Sequence, residues 1–333
     1  MSITNWTEHH GDHFAGQRVL VTGGAGFIGS HLSEALIELG AHVVVIDDLS
    51  GGDVSNFDTY RAAAGDRLEF VEASILDTDA LADCVKGCRY IFHQAAQGSV
   101  PRSIEIPVHY HEVNATGTLN VLEAARAAGV ERVTFAASSA AYGDSEVLPK
   151  VETMPVLAKS PYAANKAACE ALLSAYASSY DIDTVSLRYF NIFGPRQNAN
   201  SAYAAVIAAF AKALLSDQAP HIFGDGEQSR DFTYVDNAVH ANLLGARCES
   251  DLGGRVINVA CERRITVNEL ADFMAVSMGK PDLKATHGEE RAGDVKHSLA
   301  DVSVGRSVLG YDPVVDFETG LAQTVKWYEL VSV

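Results

Sequence analysis

Short apolar runs alternate with longer stretches of helical spacing through the first half of the chain. Six runs of three to five residues, rich in Val, Ile, Leu and Phe, have the length and composition of buried strands: 18–22, 42–46, 68–71, 90–92, 133–136 and 184–187. Helical spacing is clearest over 27–39, 108–128 and 163–180. Apolar strands separated by helices predict a doubly wound α/β fold, in which helices cover both faces of a parallel sheet.

This rhythm changes after about Asn191, where loops and short strands surround three further predicted helices near 202–215, 235–246 and 267–278. A Gly-Asp-Gly sequence at 224–226 predicts the turn of a hairpin. We therefore expect a doubly wound domain over residues 17–190 and a smaller mixed α/β C-terminal lobe over residues 191–333.

The first sixteen residues are polar and carry three histidines, His9, His10 and His13, without any apolar run. This composition predicts a flexible N-terminal tail over residues 1–16, and it lacks the basic start and apolar stretch of a signal peptide. A metal site built from these histidines is the less favoured interpretation. We expect no metal site elsewhere in the chain.

Composition and charge narrow the function classes. The 333 residues are 47% hydrophobic and 20% charged, which is typical of a globular protein of one or two domains. The net charge of −18 disfavours nucleic acid and anionic membrane surfaces as partners. Five cysteines without a Cys-x-x-Cys pair and the absence of any ~18-residue apolar window indicate reduced thiols in a cytoplasmic protein.

A glycine-rich segment follows the first predicted strand. In Thr22-Gly-Gly-Ala-Gly-Phe-Ile-Gly-Ser30 the glycines Gly23, Gly26 and Gly29 are three apart, between a strand and a helix. Glycines in this place allow a tight turn and let a pyrophosphate approach the free N–H groups of the helix start. The second strand ends in Asp47 and Asp48, where an acid binds a ribose diol and repels a 2′-phosphate. The segment predicts a Rossmann-type NAD site.

A second group of residues has the chemistry of a redox site. Tyr162 and Lys166 lie one helical turn apart, and Ser138 and Ser139 follow a predicted strand whose end opens onto the cofactor crevice. A tyrosine is a poor base at neutral pH unless positive charge lowers its pKa, which a lysine and the nicotinamide ring would do. A serine hydroxyl would hold the substrate oxygen and share its proton.

These motifs together resemble the extended short-chain dehydrogenase/reductase family, in which glycines three apart precede a Ser and a Tyr-x-x-x-Lys. Within it, the chain is most similar to the UDP-galactose 4-epimerase family, and closest to bacterial UDP-N-acetylglucosamine 4-epimerases, from about residue 18 to residue 330. The shared segments are His93-Gln-Ala-Ala, Gly98-Ser-Val-Pro-Arg-Ser103, Ser160-Pro-Tyr-Ala163 and Asp294-Val-Lys-His-Ser-Leu-Ala-Asp301. The resemblance implies retained NAD, a UDP-sugar substrate and a homodimer formed through a four-helix bundle.

The resemblance also implies which residues contact each ligand. The implied NAD contacts are Gly23, Gly26, Phe27, Ile28, Gly29, Asp47, Asp48, Ser74, Ile75, Ala95, Asn114, Tyr162 and Lys166. The implied substrate contacts are Gly98, Ser99, Ser138, Asn191, Gln197, Ala205, Val206, Arg230, Arg291, Asp294 and Ser298. The chain departs from the family at Ser74, because relatives usually place an Asp before the Ile to bind adenine.

Neighbouring positions favour epimerisation over related reactions. Sugar-nucleotide 4,6-dehydratases of this family carry an Asp-Glu pair where this chain has Ser139 and Ala140, and UDP-glucuronate decarboxylases carry a Glu at the latter place. By resemblance, Arg230 and Arg291 hold the substrate diphosphate. Seven positions after Arg291 stands Ser298, a small residue where a bulky tyrosine would narrow the sugar pocket. These features favour a UDP-N-acetylhexose.

Two other functions stay open at this stage. The same C4 chemistry on UDP-glucose and UDP-galactose, or on UDP-glucuronate and UDP-galacturonate, is not excluded by any residue. A guanidinium facing C6 of the sugar would favour the uronate, and Arg102 and Arg196 are the candidates. The remote alternative is a catalytically silent NAD-binding sensor, against which the intact Ser138, Tyr162 and Lys166 argue.

Overall fold

The computed structural model describes residues 2–198, 206–290 and 296–331. Its strands are β1 (Arg18–Thr22), β2 (His42–Asp47), β3 (Leu68–Glu72), β4 (Tyr90–His93), β5 (Arg132–Ser138), β6 (Asp183–Tyr189), β7 (Ile192–Phe193), β8 (His221–Phe223), β9 (Ser229–Asp231), β10 (Thr233–Tyr234), β11 (Arg255–Val259), β12 (Arg264–Thr266) and β13 (Thr286–Gly288). Its α-helices are α1 (Trp6–His10), α2 (Phe27–Glu38), α3 (Arg61–Ala64), α4 (Thr78–Val85), α5 (Val100–Glu105), α6 (Pro107–His111), α7 (Gly117–Ala128), α8 (Pro161–Ser179), α9 (Val206–Leu215), α10 (Val235–Arg247), α11 (Val267–Ser277), α12 (Ser303–Leu309) and α13 (Phe317–Val331). A π-helical turn, Glu112–Thr116, joins α6 to α7, and 3₁₀ turns lie at Val54–Phe57, Gly65–Arg67 and Ser139–Tyr142.

Seven strands form one sheet in the order β11-β6-β5-β4-β1-β2-β3, and each neighbouring pair is parallel. The strand order reverses between β1 and β4, because the chain first builds outward through β2 and β3 and then returns to the other side. Ligands of such sheets bind beyond the carboxyl ends of the strands at this switch point. The predicted doubly wound fold is confirmed.

The sheet extends beyond the domain expected from the sequence. Its seventh strand, β11, pairs with β6 but lies within 191–333, the range assigned to the lobe. Helix α10 from the same range packs on the sheet, where the Cα of Gly245 comes so close that a Cβ would lie 3.2 Å from Val185. The sequence hid this strand because its apolar pattern is interrupted at Asn258, a buried polar residue whose Oδ1 accepts from the Tyr142 hydroxyl at 2.6 Å.

The lobe packs α9, α11 and α13 around its own core, which includes Phe193, Phe232, Leu270 and Phe317. Three two-stranded ribbons complete it: β7 with β10, β8 with β13 and β9 with β12. The hairpin predicted around residues 224–226 is therefore wrong, since the strands on either side of that turn pair with later segments and not with each other. Within the described ranges, no helix is both long and apolar enough to cross a membrane.

The predicted flexible tail is also wrong for the part that the structure describes. Residues 2–16, which we call the N-terminal arm, contain α1 and lie against α2 and α10. Trp6 and Phe14 are buried, at 2% and 0% exposure, in the core that covers one face of the sheet. The hydroxyls of Ser2 and Thr4 donate to the buried Asp236 carboxylate at 2.8 and 2.7 Å. Two isolated aromatic residues in a polar segment carry no periodicity, so the sequence pattern could not reveal this docking.

Candidate active site

The turn between β1 and α2 has the geometry of an anion cradle. Gly23 has φ of 67°, and a Cβ there would lie 2.7 Å from the backbone of Ala95. A Cβ on Gly29 would lie 2.2 Å from the Gly23 carbonyl oxygen. Gly26 caps α2 without a side-chain hydrogen bond, so the first N–H groups of the helix remain available to a phosphate. Side chains at Gly23 and Gly29 would therefore collide with the backbone of the turn and its neighbour and distort the cradle.

The acid at the end of β2 is tied to this turn. Asp47 is buried and accepts hydrogen bonds from the N–H groups of Leu49 at 2.9 Å and Ala25 at 3.0 Å. Burial raises the pKa of the Asp47 carboxyl, and these amide hydrogen bonds partly offset the rise. Asp48 is exposed and accepts from the N–H of Ser50 at 3.0 Å. Both residues line the cavity described next.

A cavity of about 310 Å³ opens at the carboxyl ends of the central strands. It is lined by most of the predicted NAD contacts, namely Gly23, Gly26, Phe27, Ile28, Gly29, Asp47, Asp48, Ser74, Ile75, Ala95, Tyr162 and Lys166. Asn114 is not among its lining residues; its side-chain amide instead exchanges hydrogen bonds with the backbone N–H and C=O of Gln97, at 2.8 and 3.1 Å. The residues present therefore fit NAD.

The sequence pattern missed several lining residues of this cavity, which we call the cofactor cavity. They are Ser50, Gly51, Gly52, Gln94, Gln97 and Tyr189. Gln94 and Tyr189 directly follow or end strands β4 and β6, so their place at the carboxyl edge of the sheet was the available signal. Gly98, predicted as a substrate contact, lines this cavity as well.

Two of the predicted catalytic residues, Tyr162 and Lys166, line the cofactor cavity, and Ser138 ends strand β5 next to the lining residue Ala137. Helix α8 starts behind Ser160, whose hydroxyl accepts from the N–H of Ala163 at 3.2 Å, and this places Tyr162 and Lys166 in its first two turns. Partial burial raises the pKa of the Tyr162 phenol, and a hydrogen bond with the Ser138 hydroxyl opposes that rise. The serine, the tyrosine and the lysine thus share one corner of the site.

The lysine of this group is held in an apolar setting. Lys166 is 3% exposed, and its Nζ donates to the Ala136 carbonyl at 2.6 Å and lies 4.6 Å from the centre of the Phe135 ring. Burial lowers the pKa of Lys166 to about 8. An anionic phenolate nearby would favour the charged lysine again. Ser139 begins the 3₁₀ turn after β5 and is half-buried.

A buried histidine supports the cavity floor. The Thr118 hydroxyl donates to the Asn114 carbonyl at 2.6 Å, so it accepts from Nε2 of His93 at 2.9 Å. Nδ1 of His93 then accepts from the Thr22 hydroxyl at 2.7 Å, and that hydroxyl accepts from the N–H of Ala95 at 3.2 Å. This order of donors assigns the proton to Nε2. Burial lowers the pKa of His93 to about 3, so the ring is neutral.

A second cavity, also of about 310 Å³, lies in the lobe. Four predicted substrate contacts line it: Asn191, Gln197, Val206 and Arg230. Gln197 donates from Nε2 to the Ile192 carbonyl at 3.1 Å, while its Oε1 is buried without a hydrogen-bond partner. Half-buried Arg230 donates to the Ser229 carbonyl at 3.1 Å. Such a polar and aromatic lining suits a nucleotide.

The other predicted substrate residues either do not line this lobe cavity or lie outside the residues that the structure describes. Ser298 is 9% exposed and donates its backbone N–H to the Ser229 carbonyl at 2.9 Å, beside the strand that carries Arg230. The Ser99 hydroxyl caps α5 by accepting from the N–H of Arg102 at 3.3 Å. Ala205, Arg291 and Asp294 lie outside the described residues.

Arg196 has a structural role that the sequence left open. Its Nη2 lies 2.5 Å from the Glu34 carboxylate and 2.7 Å from the Thr59 hydroxyl, and both charged side chains are almost fully buried. The guanidinium joins the start of the lobe to α2 through Glu34, and this ion pair occupies the group that a uronate carboxylate would need. Arg102 is exposed on α5. Among the described residues, no group of three or more His, Cys, Asp or Glu side chains is arranged to hold a metal ion.

Comparison with known proteins gives the family of this fold and site. The sequence model of the NAD dependent epimerase/dehydratase family matches residues 19–260. The chain belongs to this family. It is 40% identical to a UDP-glucose 4-epimerase of Mycolicibacterium smegmatis, over 93% of this chain and 98% of that protein. It is 31% identical to a UDP-glucuronate 4-epimerase of Thermodesulfobacterium geofontis, over 92% of this chain and 95% of that protein.

Solved structures of this family superpose closely on the chain. A UDP-N-acetylglucosamine 4-epimerase from Methanobrevibacter ruminantium, in complex with UDP-N-acetylmuramic acid, is 41% identical with a TM-score of 0.90, covering 95% of this chain and 99% of that one. A Thermus thermophilus UDP-glucose 4-epimerase in complex with NAD is 35% identical with a TM-score of 0.83, covering 94% and 99%. NAD is the cofactor of this family, and this chain is an NAD-dependent epimerase.

Proposed function

We propose that this epimerase inverts C4 of a UDP-hexose, with UDP-N-acetylglucosamine and UDP-N-acetylgalactosamine as its preferred pair. The observation that carries the reaction is that Tyr162 and Lys166 line the cofactor cavity, with the Ser138 hydroxyl near enough to the Tyr162 phenol to lower its pKa. Ser139 and Ala140 stand where related dehydratases and decarboxylases carry carboxylates. Ser138, Tyr162 and Lys166 are the groups needed for reversible oxidation of a hydroxyl, and positions 139 and 140 carry no carboxylate for elimination.

Each residue has a distinct task in this mechanism. The Tyr162 phenolate takes the proton of the 4-hydroxyl, and Ser138 holds the same oxygen and shares the proton. Lys166 supplies positive charge that favours the phenolate. NAD, when bound, supplies a reversible two-electron acceptor for C4. The 4-keto sugar turns while Arg230 and Arg291 hold its UDP, and Tyr162 returns the proton when the other face is reduced.

The choice of sugar rests on two supports. Ser298 is small and lies beside the strand of Arg230. By resemblance to the family, a bulky side chain at this position would narrow the space for an N-acetyl group. Among solved relatives, a UDP-N-acetylglucosamine 4-epimerase has 41% identity to this chain. UDP-glucose and UDP-galactose are the second candidate, because a curated relative with 40% identity is a UDP-glucose 4-epimerase. The uronate pair loses one of its two candidate guanidinium groups, since Arg196 is paired with Glu34.

The test is turnover without added cofactor. Purified protein is incubated separately with UDP-GlcNAc, UDP-GalNAc, UDP-Glc, UDP-Gal and UDP-GlcA, and the products are resolved by ion exchange and proton NMR. Interconversion of the acetylated pair with the highest kcat/KM supports the proposal. Faster turnover of the neutral or uronate pair overturns the substrate assignment and leaves the reaction. No turnover of any sugar, even with NAD added, favours the silent sensor.

Tyr162→Phe is the matched control for the reaction itself. It removes the phenolic oxygen that exchanges the proton and leaves the ring in place, so turnover should fall by about a thousandfold, the middle of the range that a general base contributes. NAD content should stay at the wild-type level. Full activity in Tyr162→Phe would contradict the assigned base.

We further propose that the protein forms a homodimer through a four-helix bundle of the α6–α7 segment and α8 from each copy. Apolar side chains are exposed on and beside this segment, with Ile104 at 64%, Val108 at 70% and Leu119 at 37% exposure. Such a patch is unfavourable in water unless another surface covers it. Light scattering should give the mass of a dimer, and Val108→Asp should weaken it; a monomeric wild-type protein would contradict the proposal.

A further inference from the structure

Three side chains form a closed ring of hydrogen bonds beside the cofactor cavity. Asn242 donates from Nδ2 to the Tyr189 hydroxyl at 2.6 Å, and that hydroxyl donates to Oε1 of Gln94 at 3.1 Å. Gln94 closes the ring by donating from Nε2 to Oδ1 of Asn242 at 3.0 Å. The three residues come from the end of β4, the end of β6 and the middle of α10, which the fold brings together across the sheet.

The direction of every bond in this ring is fixed by chemistry. Amide nitrogens only donate, so the Tyr189 hydroxyl must accept from Asn242 and pass its own proton to Gln94. The second N–H of Asn242 donates to the Ala238 carbonyl at 2.8 Å, and its Oδ1 also accepts from the Thr134 hydroxyl at 3.1 Å. These added contacts fix the amide orientation of Asn242. Burial raises the pKa of Tyr189 to about 12, so its hydroxyl stays protonated at neutral pH.

This ring forms part of the cavity wall. Gln94 and Tyr189 line the cofactor cavity together with Tyr162 and Lys166, while Asn242 stands behind them, fully buried. The backbone N–H of Gln94 donates to the Thr22 carbonyl at 3.1 Å. The next residue, Ala95, lies so close to the phosphate-binding turn that a Cβ on Gly23 would be 2.7 Å from the Ala95 backbone. The ring therefore links the β6 wall of the cavity, through the loop after β4, to that turn.

We propose that Gln94, Tyr189 and Asn242 are positioning residues that keep NAD bound through the reaction cycle. The 4-keto sugar can be reduced again only if the reduced cofactor stays in place, so an epimerase needs a cavity whose walls do not separate. A closed ring in which each side chain both donates and accepts resists such separation, because opening it leaves donors and acceptors unpaired. The inference rests on the use of NAD and not on which sugar is turned over.

The decisive variant is Tyr189→Phe, which removes one hydroxyl and leaves an N–H of Asn242 and an oxygen of Gln94 without partners. NAD release from the holoenzyme is followed by serial desalting and by assay of the NAD that remains per protomer. We expect release at least about tenfold faster than from wild type, which corresponds to about 1.4 kcal/mol. Because no sugar is present, this result is independent of the proposed epimerisation.

The matched control is Tyr311→Phe. Tyr311 is also fully buried and donates its hydroxyl to a backbone carbonyl, that of Ala260, at 3.0 Å, but it does not line the cofactor cavity. A general loss of packing would affect both variants, so NAD release at the same rate from both would overturn the proposal. Release from Tyr189→Phe within twofold of wild type would do so too.

A second variant keeps the test sound if Tyr189→Phe does not fold. Gln94→Met keeps the length of a half-buried side chain and removes both of its ring contacts. It should release NAD faster than wild type by a similar factor. Because either change opens the ring, the double variant should be little worse than the single ones. If the two single variants' increases in the NAD release rate multiply in the double variant, the three residues do not act as a unit. Unchanged release from Gln94→Met would show the same.

Discussion

The docking of the N-terminal arm is the finding most at odds with the sequence pattern, and it can be tested by truncating its two buried aromatic side chains. Trp6 and Phe14 are 2% and 0% exposed. A buried aromatic residue removes roughly 150–250 Å² from water. At about 25 cal/mol per Å², that corresponds to roughly 4–6 kcal/mol, and measured losses for Phe or Trp to Ala in cores are about 3–5 kcal/mol.

The loss of unfolding free energy cannot exceed the free energy with which the arm docks. Once the arm undocks, further truncation within it changes nothing in the rest of the protein. We therefore expect Trp6→Ala and Phe14→Ala each to lower the free energy of unfolding by about 3 kcal/mol or more, and the double variant to lose less than their sum. Ile3→Ala is the control, because Ile3 lies in the arm but is 39% exposed and should cost about 0.5 kcal/mol or less.

Urea denaturation of the NAD-saturated protein measures these differences, and limited proteolysis of the arm provides a second readout. The variants should be cut within the arm at protease concentrations that leave the wild type intact. If Trp6→Ala and Phe14→Ala both unfold within about 0.5 kcal/mol of the wild type, the arm does not dock and the reasoning fails.

Three further predictions follow from the site and its surroundings. Gly29→Ala should abolish NAD retention because its Cβ would lie 2.2 Å from a backbone oxygen. Gly305→Ala is the control, because its Cβ would lie no closer than 3.4 Å to its neighbours and the residue does not line the cofactor cavity, so this variant should retain NAD normally. Equal retention by the two variants would contradict the cradle. Lys166→Met should be inactive, yet it should raise the free energy of unfolding of the NAD-free protein at pH 7 by about 1–3 kcal/mol. The pKa of Lys166 is about 8 in the folded protein and about 10.5 in the unfolded chain, so the charged lysine destabilises the fold until the pH rises through that interval. Urea unfolding that shows a less stable variant would refute this. Burial lowers the pKa of His10 to about 3 and that of His240 to about 4, so the folded protein holds both rings neutral and loses stability as the pH falls below about 6.5. His240→Gln should therefore reduce the fall in the thermal unfolding midpoint between about pH 6.5 and pH 4. An unchanged pH dependence of the midpoint would argue against this reasoning.

Local patterns were sufficient for the parts of the molecule that local chemistry determines. The strands of the doubly wound sheet up to β6 are visible as apolar runs, and the phosphate-binding turn needs glycines at fixed spacing. The features that the sequence concealed are contacts between distant positions. Gln94 and Asn242 are 148 residues apart, and Glu34 and Arg196 are 162 apart. A Gln, an Asn or an Arg has no periodic signature, so only the folded chain shows which partner it meets.

The late arrival of β11 has a consequence for how the polypeptide is made. On the ribosome, β6 emerges with one edge unpaired and stays so until residues 255–259 have been synthesised and have left the exit tunnel. During that interval its free N–H and C=O groups, beside the apolar Val185 and Leu187, form an open template for other extended chains. The nascent chain cannot finish its cofactor-binding half before nearly half of the lobe has been synthesised, so the folding of the two parts of this protein overlaps in time.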